Sequence, residues 1–176
     1  MIRAIVPLAV LAVAAVLLYA ASRPDSFRVE RAASIRAPAA KVHALIADLH
    51  EFNTWNPYVR KDPNLKGRYR GAAAGPGSAY DFEGNHDVGR GSLEIVESTP
   101  PTRVAMKIDM VAPFEAHNLV EFTLVPRGEA TDVTWAMRGP SPFVARLLGV
   151  FMNMDAMIGR DFEAGLANLK AVAERS

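Results

Sequence analysis

Cysteine is absent from the 176 residues. That excludes disulfides, thiol catalysis and thiolate metal ligation. It leaves the compartment open, because exported proteins also do without the residue. A dominant charge is absent too: 20 Lys and Arg stand against 19 Asp and Glu, for a net charge of +1. The basic residues are scattered among acids and form no stripe, which argues against a nucleic-acid partner. The histidines, His43, His50, His86 and His117, never fall at the His-x-x-x-His spacing of a metal-binding helix face, so no metal and no cofactor is expected. No Gly-x-Ser-x-Gly nucleophile elbow occurs. The glycine-rich run 71–77 lacks a following Lys-Ser or Lys-Thr, so a phosphate cradle is unsupported.

What is present is apolar. Half of the residues are hydrophobic, enough for one domain with a substantial core and a short appendage. Residues 1–22 are the appendage. Ile2 to Ala21 is apolar except for Arg3, and a bilayer core needs about 20 such residues as a helix. The segment reads as a single-pass transmembrane signal-anchor, with a cleaved signal peptide as the alternative, Arg3 forming its charged start and Ala20 or Ala21 its small-residue site. Arg23, Arg28 and Arg31 beyond the segment favour a cytoplasmic domain by the positive-inside rule. Its likeness to an export signal favours the periplasmic side of a bacterial-type inner membrane, which is the expected placement.

Residues 26–175 carry the domain. Phe27, Val29, Arg31, Ala33 and Ile35 alternate with polar residues and predict a strand. Pro38 suits a helix start, and Val42, Leu45, Ile46, Leu49 and Phe52 form one buried stripe. After a loop-rich stretch, strands are predicted at Ala79–Glu83, Gly91–Ser98, Arg103–Met110, Ala116–Pro126 and Thr131–Arg138, separated by turn residues. No helices intervene, so the sheet is an antiparallel meander. From Phe143 to Lys170 apolar residues recur at steps of three or four: Phe143, Leu147, Phe151, Met154, Ile158, Phe162, Leu166 and Leu169. They predict one long helix lying on the sheet.

Period-two alternation assigns the sheet's faces. Tyr80 and Phe82 share the greasy side with Ile95, Met106, Ile108, Asn118, Val120, Phe122, Trp135 and Met137, while Asp81, Glu94, Lys107 and Glu121 face water. A hollow is expected between this face and the helix, lined by those ten residues, by Phe151, Met154, Asp155 and Ile158 from the helix, and closed at one mouth by Trp55 with Tyr58. Six of the seven methionines fall on these strands and the helix. Methionine is a flexible filler common at adaptable apolar surfaces, and equally a filler of ordinary cores. Asn118, Asp155 and Glu97 interrupt the greasy side, and a buried polar group needs a partner. His86 beside Asp87 reads as a solvated loop.

Several stretches carry a family resemblance: Trp55-Asn56-Pro57-Tyr58, Gly77-Ser78-Ala79-Tyr80, Gly84-Asn85, Gly89-Arg90-Gly91, Val133 to Met137, Met152 to Gly159 and Asp161 to Lys170. With them the chain resembles the SRPBCC superfamily, the START-like or Bet v 1-like group, and within it the polyketide cyclase/dehydrase and lipid transport branch, over Phe27 to Lys170. The resemblance implies an α+β helix-grip fold, a curved antiparallel sheet wrapped around a long C-terminal helix with a cavity between, to which this chain adds one N-terminal transmembrane helix. It supplies no catalytic motif. The expected function is a membrane-tethered binding module for a hydrophobic small molecule, a lipid or polyketide-like compound. A cyclase or dehydratase using Asn118, Asp155, Glu97 or His86 is the alternative, and it requires those groups to converge. A non-enzymatic interaction or chaperone-like domain with a filled core is the third.

Overall fold

The computed structural model describes residues 2–175, with side chains from residue 7 onward. Arg3 and its neighbours therefore lie outside the described side chains. Helix α1 (Ile2–Ser22) leads into β1 (Ser26–Ile35), then α2 (Ala39–Ala47), α3 (Leu49–Trp55), β2 (Lys66–Gly71), β3 (Ser78–Glu83), β4 (Arg90–Thr99), β5 (Arg103–Ala112), β6 (Ala116–Arg127), β7 (Ala130–Pro140), α4 (Phe143–Leu148) and α5 (Met154–Ala173). The strands form one antiparallel sheet in the order β1-β7-β6-β5-β4-β3-β2. The first strand closes the meander by pairing with the last, and α5 lies along it.

Pro38 stands at the N-cap of α2, where its missing N–H is harmless. The helix expected to run on through Phe52 divides at Asp48. That residue takes an extended backbone, and its carboxylate accepts the His50 N–H at 2.8 Å to cap α3. One strand leaves the expected phase. A β-bulge between Ile95 and Glu97 shifts β4 by one residue, so that Glu97 pairs with Ala105 and Ser98 with Val104. An inserted residue flips every later side chain to the other face. Glu97 accordingly leaves the greasy side and meets Arg103 at 2.9 Å on the outer face. Ser98 takes the inner position, 3.2 Å from His43 Nε2.

The helix expected over Phe143–Lys170 is broken. α4 ends at Gly149, whose N–H bonds Ala145 O. α5 restarts with Asn153 as N-cap, its side chain accepting the Ala156 N–H at 2.9 Å. The predicted stripe is split with it. Phe162, Leu166 and Leu169 are buried, whereas Phe143, Met154 and above all Phe151, 74% exposed, are not.

α1 stands away from the core. Its apolar side chains from Leu8 to Tyr19 are exposed around the helix except for the half-buried Val16, and only Ala20 is buried among the described side chains. Counted over the described side chains, no helix is long and apolar enough to cross a membrane.

Candidate ligand-binding site

The inner face of the sheet has two halves. Toward the end nearest α2 and α3 it is packed solid. Phe52 and Trp55 from α3, Phe122 from β6, Trp135 from β7 and Phe162 from α5 form one aromatic cluster. Trp135 stacks on Phe162 at 4.2 Å between centroids, Phe122 lies 5.0 Å from Trp135, and Trp55 meets both Phe122 and Trp135 edge-on. Ile95, Met106 and Val120 are buried beside them. Edge-to-face and offset arrangements of this kind add about 0.5–1.5 kcal/mol per pair beyond area burial. Most of the volume expected to be hollow is therefore side chain. Trp55, expected at a mouth, is a wall of this core, fully buried with its Nε1–H donated to Leu45 O at 2.9 Å. Tyr58 lies against α5 near Asp161, where burial first and the Asp161 charge second push its hydroxyl pKa upward.

Toward the other end the same face is half-buried. Phe27, Phe82, Ile108, Met137 and Ile158 pack against the core without being sealed. Asn118 sits on the adjoining rung, opposite Ile108. Its amide lies over Gly139, where a Cβ would collide with Asn118 Oδ1, and beside Phe27. Glycine at 139 is what lets the amide lie flat across β7 at this end. Two open concavities lie elsewhere. One is an open groove of about 450 Å³ over the β2–β5 part of the sheet, lined by Phe82 and Val111 together with Arg68, Asp81, Glu83, Arg90 and Asp109. The other, about 340 Å³, lies at the turn 84–90.

Helix α5 approaches closest at its glycines. A Cβ at Gly159 would strike the Arg31 guanidinium, and one at Gly165 would strike the Trp135 ring. Arg31 is the one charged side chain on the inner face of β1. It bonds Asp155 Oδ2 at 3.0 Å and Glu163 Oε1 at 2.8 Å. Asp155 and then Glu163 hold the guanidinium more firmly charged, and Arg31 in turn holds the Asp155 carboxyl below its ordinary range. Asp155 is thus engaged in fixing α5 to β1, whereas the sequence marks Arg31 only as a strand and segment-flanking residue and Gly159 only as part of a family-like stretch, neither as a site residue. A glycine facing the helix's buried side was the available signal.

The four groups offered for acid–base chemistry do not assemble. Asn118 is on the inner face, Asp155 is paired with Arg31, Glu97 is on the outer face with Arg103, and His86 is exposed beside Asp87. Among the described residues no group of three or more potential metal ligands occurs. Two buried donors lack an acceptor among the described residues: Trp135 Nε1–H and Arg146 Nε–H.

One histidine among the described residues is buried, His43 on α2. Burial lowers its pKa, against a backbone hydrogen bond to Arg103 that raises it. The fold therefore keeps this ring neutral, while the unfolded chain protonates it below about pH 6.5. More protons on the unfolded chain means stability falls as pH drops from that value toward the lowered folded pKa. His43→Gln, neutral throughout, is expected to flatten this acid-side loss. Melting temperatures at pH 7.5 and pH 5 for the two proteins check it, and parallel losses would show that His43 is not the cause.

A curved antiparallel sheet gripping a C-terminal helix, with an apolar inner face, defines a helix-grip fold. Residues 26–174 match the family described as polyketide cyclase / dehydrase and lipid transport, and the chain belongs to that family. Its fold is similar to that of a protein from Chromobacterium violaceum, with a TM-score of 0.61 at 16% identity over 88% of this chain and 100% of that one. Major latex-like protein 151 from Panax ginseng is similar at TM-score 0.62 and 13% identity, over 86% of this chain and 100% of that one. The Aha1 dimer from Colwellia psychrerythraea gives 0.59 at 14% identity, over 84% and 96%. At these identities the likeness establishes the fold. No curated protein sequence matches the chain.

Proposed function

We propose that this chain is a membrane-tethered binding module for a hydrophobic small molecule, held on the half-buried end of the sheet's inner face. One observation carries it: Phe27, Phe82, Ile108, Met137 and Ile158 are apolar side chains packed against the core that the protein's own elements leave partly uncovered. Covering such a surface contributes about 25 cal/mol per Å². Two polar groups border it. The Asn118 amide makes no hydrogen bond inside the protein among the described residues, and Trp135 Nε1–H, one rung inward from Met137, has no acceptor. A ligand oxygen reaching that indole would recover the roughly 1–3 kcal/mol that a buried unpaired donor costs. The ligand class that fits is an apolar body with a small oxygen-bearing head, as in a fatty acyl chain or a polyketide.

The tether is α1. At 1.5 Å per residue its 21 residues, five of which lie outside the described side chains over which no helix is long and apolar enough to span, extend roughly 30 Å, about the thickness of a bilayer's hydrocarbon core. A helix apolar on all sides belongs in a protein core or a membrane, and α1 is outside the core. Placement of the domain on the periplasmic side of a bacterial-type inner membrane remains part of this proposal.

Native mass spectrometry of the full chain released from lipid nanodiscs tests the ligand. The wild type is expected to carry a lipid-sized adduct. Ile108→Glu places an unpaired charge on the apolar surface at a cost of several kcal/mol, so occupancy should drop about tenfold or more. Lys107→Glu, on the opposite face of the same strand, should leave it unchanged. Wild type that emerges empty, or Ile108→Glu that retains the adduct, overturns the ligand site.

A further inference from the structure

The uncovered half of the inner face points to one end of the domain, and that end has a distinctive surface. The strand register identifies it. Ser26 pairs with Pro140, Arg90 with Ala112 and Met110 with Ala116. The starts of β1, β4 and β6 and the ends of β3, β5 and β7 therefore lie together. Phe27, Phe82, Met110, Asn118 and Met137 are at or near these strand ends. So is the point where α1 delivers the chain, and so is the departure of α4.

Exposed apolar residues concentrate at the same end. Outside α1, the exposed large hydrophobic side chains among the described residues fall on segments 111–114 and 143–157, with Tyr69 and Val125 the two exceptions. Phe114 in the β5–β6 turn is 72% exposed, Val144 on α4 is 65% exposed, and Phe151 in the turn before α5 is the most exposed of the set. Leu148, Met152, Met154 and Met157 continue the band.

This band is fastened to α1. Arg23 Nη1 donates to Gly149 O at 2.6 Å. Arg146 Nη1 donates to Ala21 O at 3.2 Å and to Arg23 O at 3.1 Å. Arg23 lies over the Tyr19 ring and Arg146 over Phe143. Neither arginine has a carboxylate partner among the described ion pairs, and Arg146 Nε–H is buried without an acceptor. Two cations on apolar stems, at the foot of an apolar helix, match the headgroup level of a bilayer, where guanidinium groups meet phosphates.

We propose that this end of the domain docks on the lipid surface. α4, the turn 149–153 and Phe114 enter the boundary between headgroups and acyl chains, Arg23 and Arg146 sit at phosphate level, and the uncovered inner face opens toward the membrane. A hydrophobic ligand then passes between bilayer and protein without crossing water. The proposal rests on α1 being the tether. The band is continuous with that helix, its cations complement anionic headgroups, and the Arg23 and Arg146 hydrogen bonds fasten the two together, so the occupant is the bilayer that holds α1.

The absence of cysteine makes the test clean. Single-cysteine variants of the full chain, Val144→Cys, Phe151→Cys and Phe114→Cys, are labelled with an environment-sensitive fluorophore. They are reconstituted in vesicles of three parts phosphatidylcholine to one part phosphatidylglycerol, with and without brominated acyl chains. Val13→Cys in α1 and Lys107→Cys on the outer sheet face are the references. Interfacial segments sit about 5–10 Å into the headgroup and acyl boundary, so quenching at the three sites should exceed that at Lys107 roughly threefold and approach that at Val13. Quenching at Val13 with the three sites matching Lys107 overturns the docking and leaves the tether standing. A blue-shifted emission at the three sites without bromine quenching means a second copy of the chain covers them, and also overturns it. No quenching at Val13 removes the tether, and the docking falls with it.

Discussion

Trp135→Ala is expected to lower the unfolding free energy by about 3–5 kcal/mol, the range for deleting a large aromatic from a core. The ring is held from several sides, with contacts elsewhere than at Nε1. It stacks on Phe162 at 4.2 Å, meets Trp55 and Phe122 at its other sides, and closes against the α5 backbone at Gly165. Those contacts come from three elements, so collapse of one side chain cannot fill the void. For a domain of this size 1 kcal/mol moves the melting temperature by about 2–4 °C, and the total stability of such domains is about 5–15 kcal/mol. The expected drop in melting temperature of the full chain in nanodiscs is thus roughly 6–20 °C. A drop of less than about 3 °C would mean that the aromatic cluster is loosely packed and the hollow larger than the ring contacts allow. Trp135→Phe separates packing from polarity. It keeps most of the ring, removes the unpaired Nε1–H, and so should cost much less than the alanine. If a ligand oxygen answers that indole, the phenylalanine variant also loses adduct in the mass spectrum while staying folded.

Much of this arrangement was legible in the sequence. Alternation put Tyr80, Phe82, Ile95, Met106, Ile108, Val120, Phe122, Trp135 and Met137 on one face, and the structure places them there. Strand order followed from turn residues, because a meander needs no long connections. What failed was non-local. Val96 is apolar, so the bulge that turns Glu97 outward leaves no mark in the hydrophobic pattern. Gly149 and Asn153 are ordinary signals for ending one helix and capping the next, but the apolar spacing through Phe151 and Met154 runs across both and masks them. Whether the hollow was open depended on volumes brought together from distant segments. Trp55, Trp135 and Phe162 are 80 and 27 residues apart in sequence, and periodicity says nothing of how deeply each ring reaches. Asp155 looked like a ligand contact because its partner is 124 residues away on β1. Membership in the polyketide cyclase/dehydrase and lipid transport family covers residues 26–174, and α1 lies outside that match.

Gly165→Ala is expected to destabilise the protein, against the ordinary rule for helices. Replacing an interior helical glycine by alanine usually stabilises by about 1 kcal/mol. At 165 the added methyl would enter the Trp135 ring and approach Pro57 Cδ at 3.0 Å. The ring cannot retreat, because Phe162, Phe122 and Trp55 hold it from the remaining directions. Overpacking of this kind costs about 1–3 kcal/mol and sometimes more, so it outweighs the propensity gain. Gly165→Val should be worse, lifting α5 from the sheet and releasing the Arg31 pairs with Asp155 and Glu163. Gly159 provides the contrast within the same helix. There the added methyl would meet the tip of Arg31, a flexible side chain with solvent-exposed partners, which can swing aside. Gly159→Ala should therefore be neutral or stabilising. The pair is decided by sign: thermal unfolding of the full chain with a lowered melting temperature for Gly165→Ala and an equal or raised one for Gly159→Ala supports a rigid aromatic floor beneath α5. A raised melting temperature for both would mean that the helix is free to move away from Trp135, and with it that the inner face opens much further inward than the half-buried end at Ile108 and Met137.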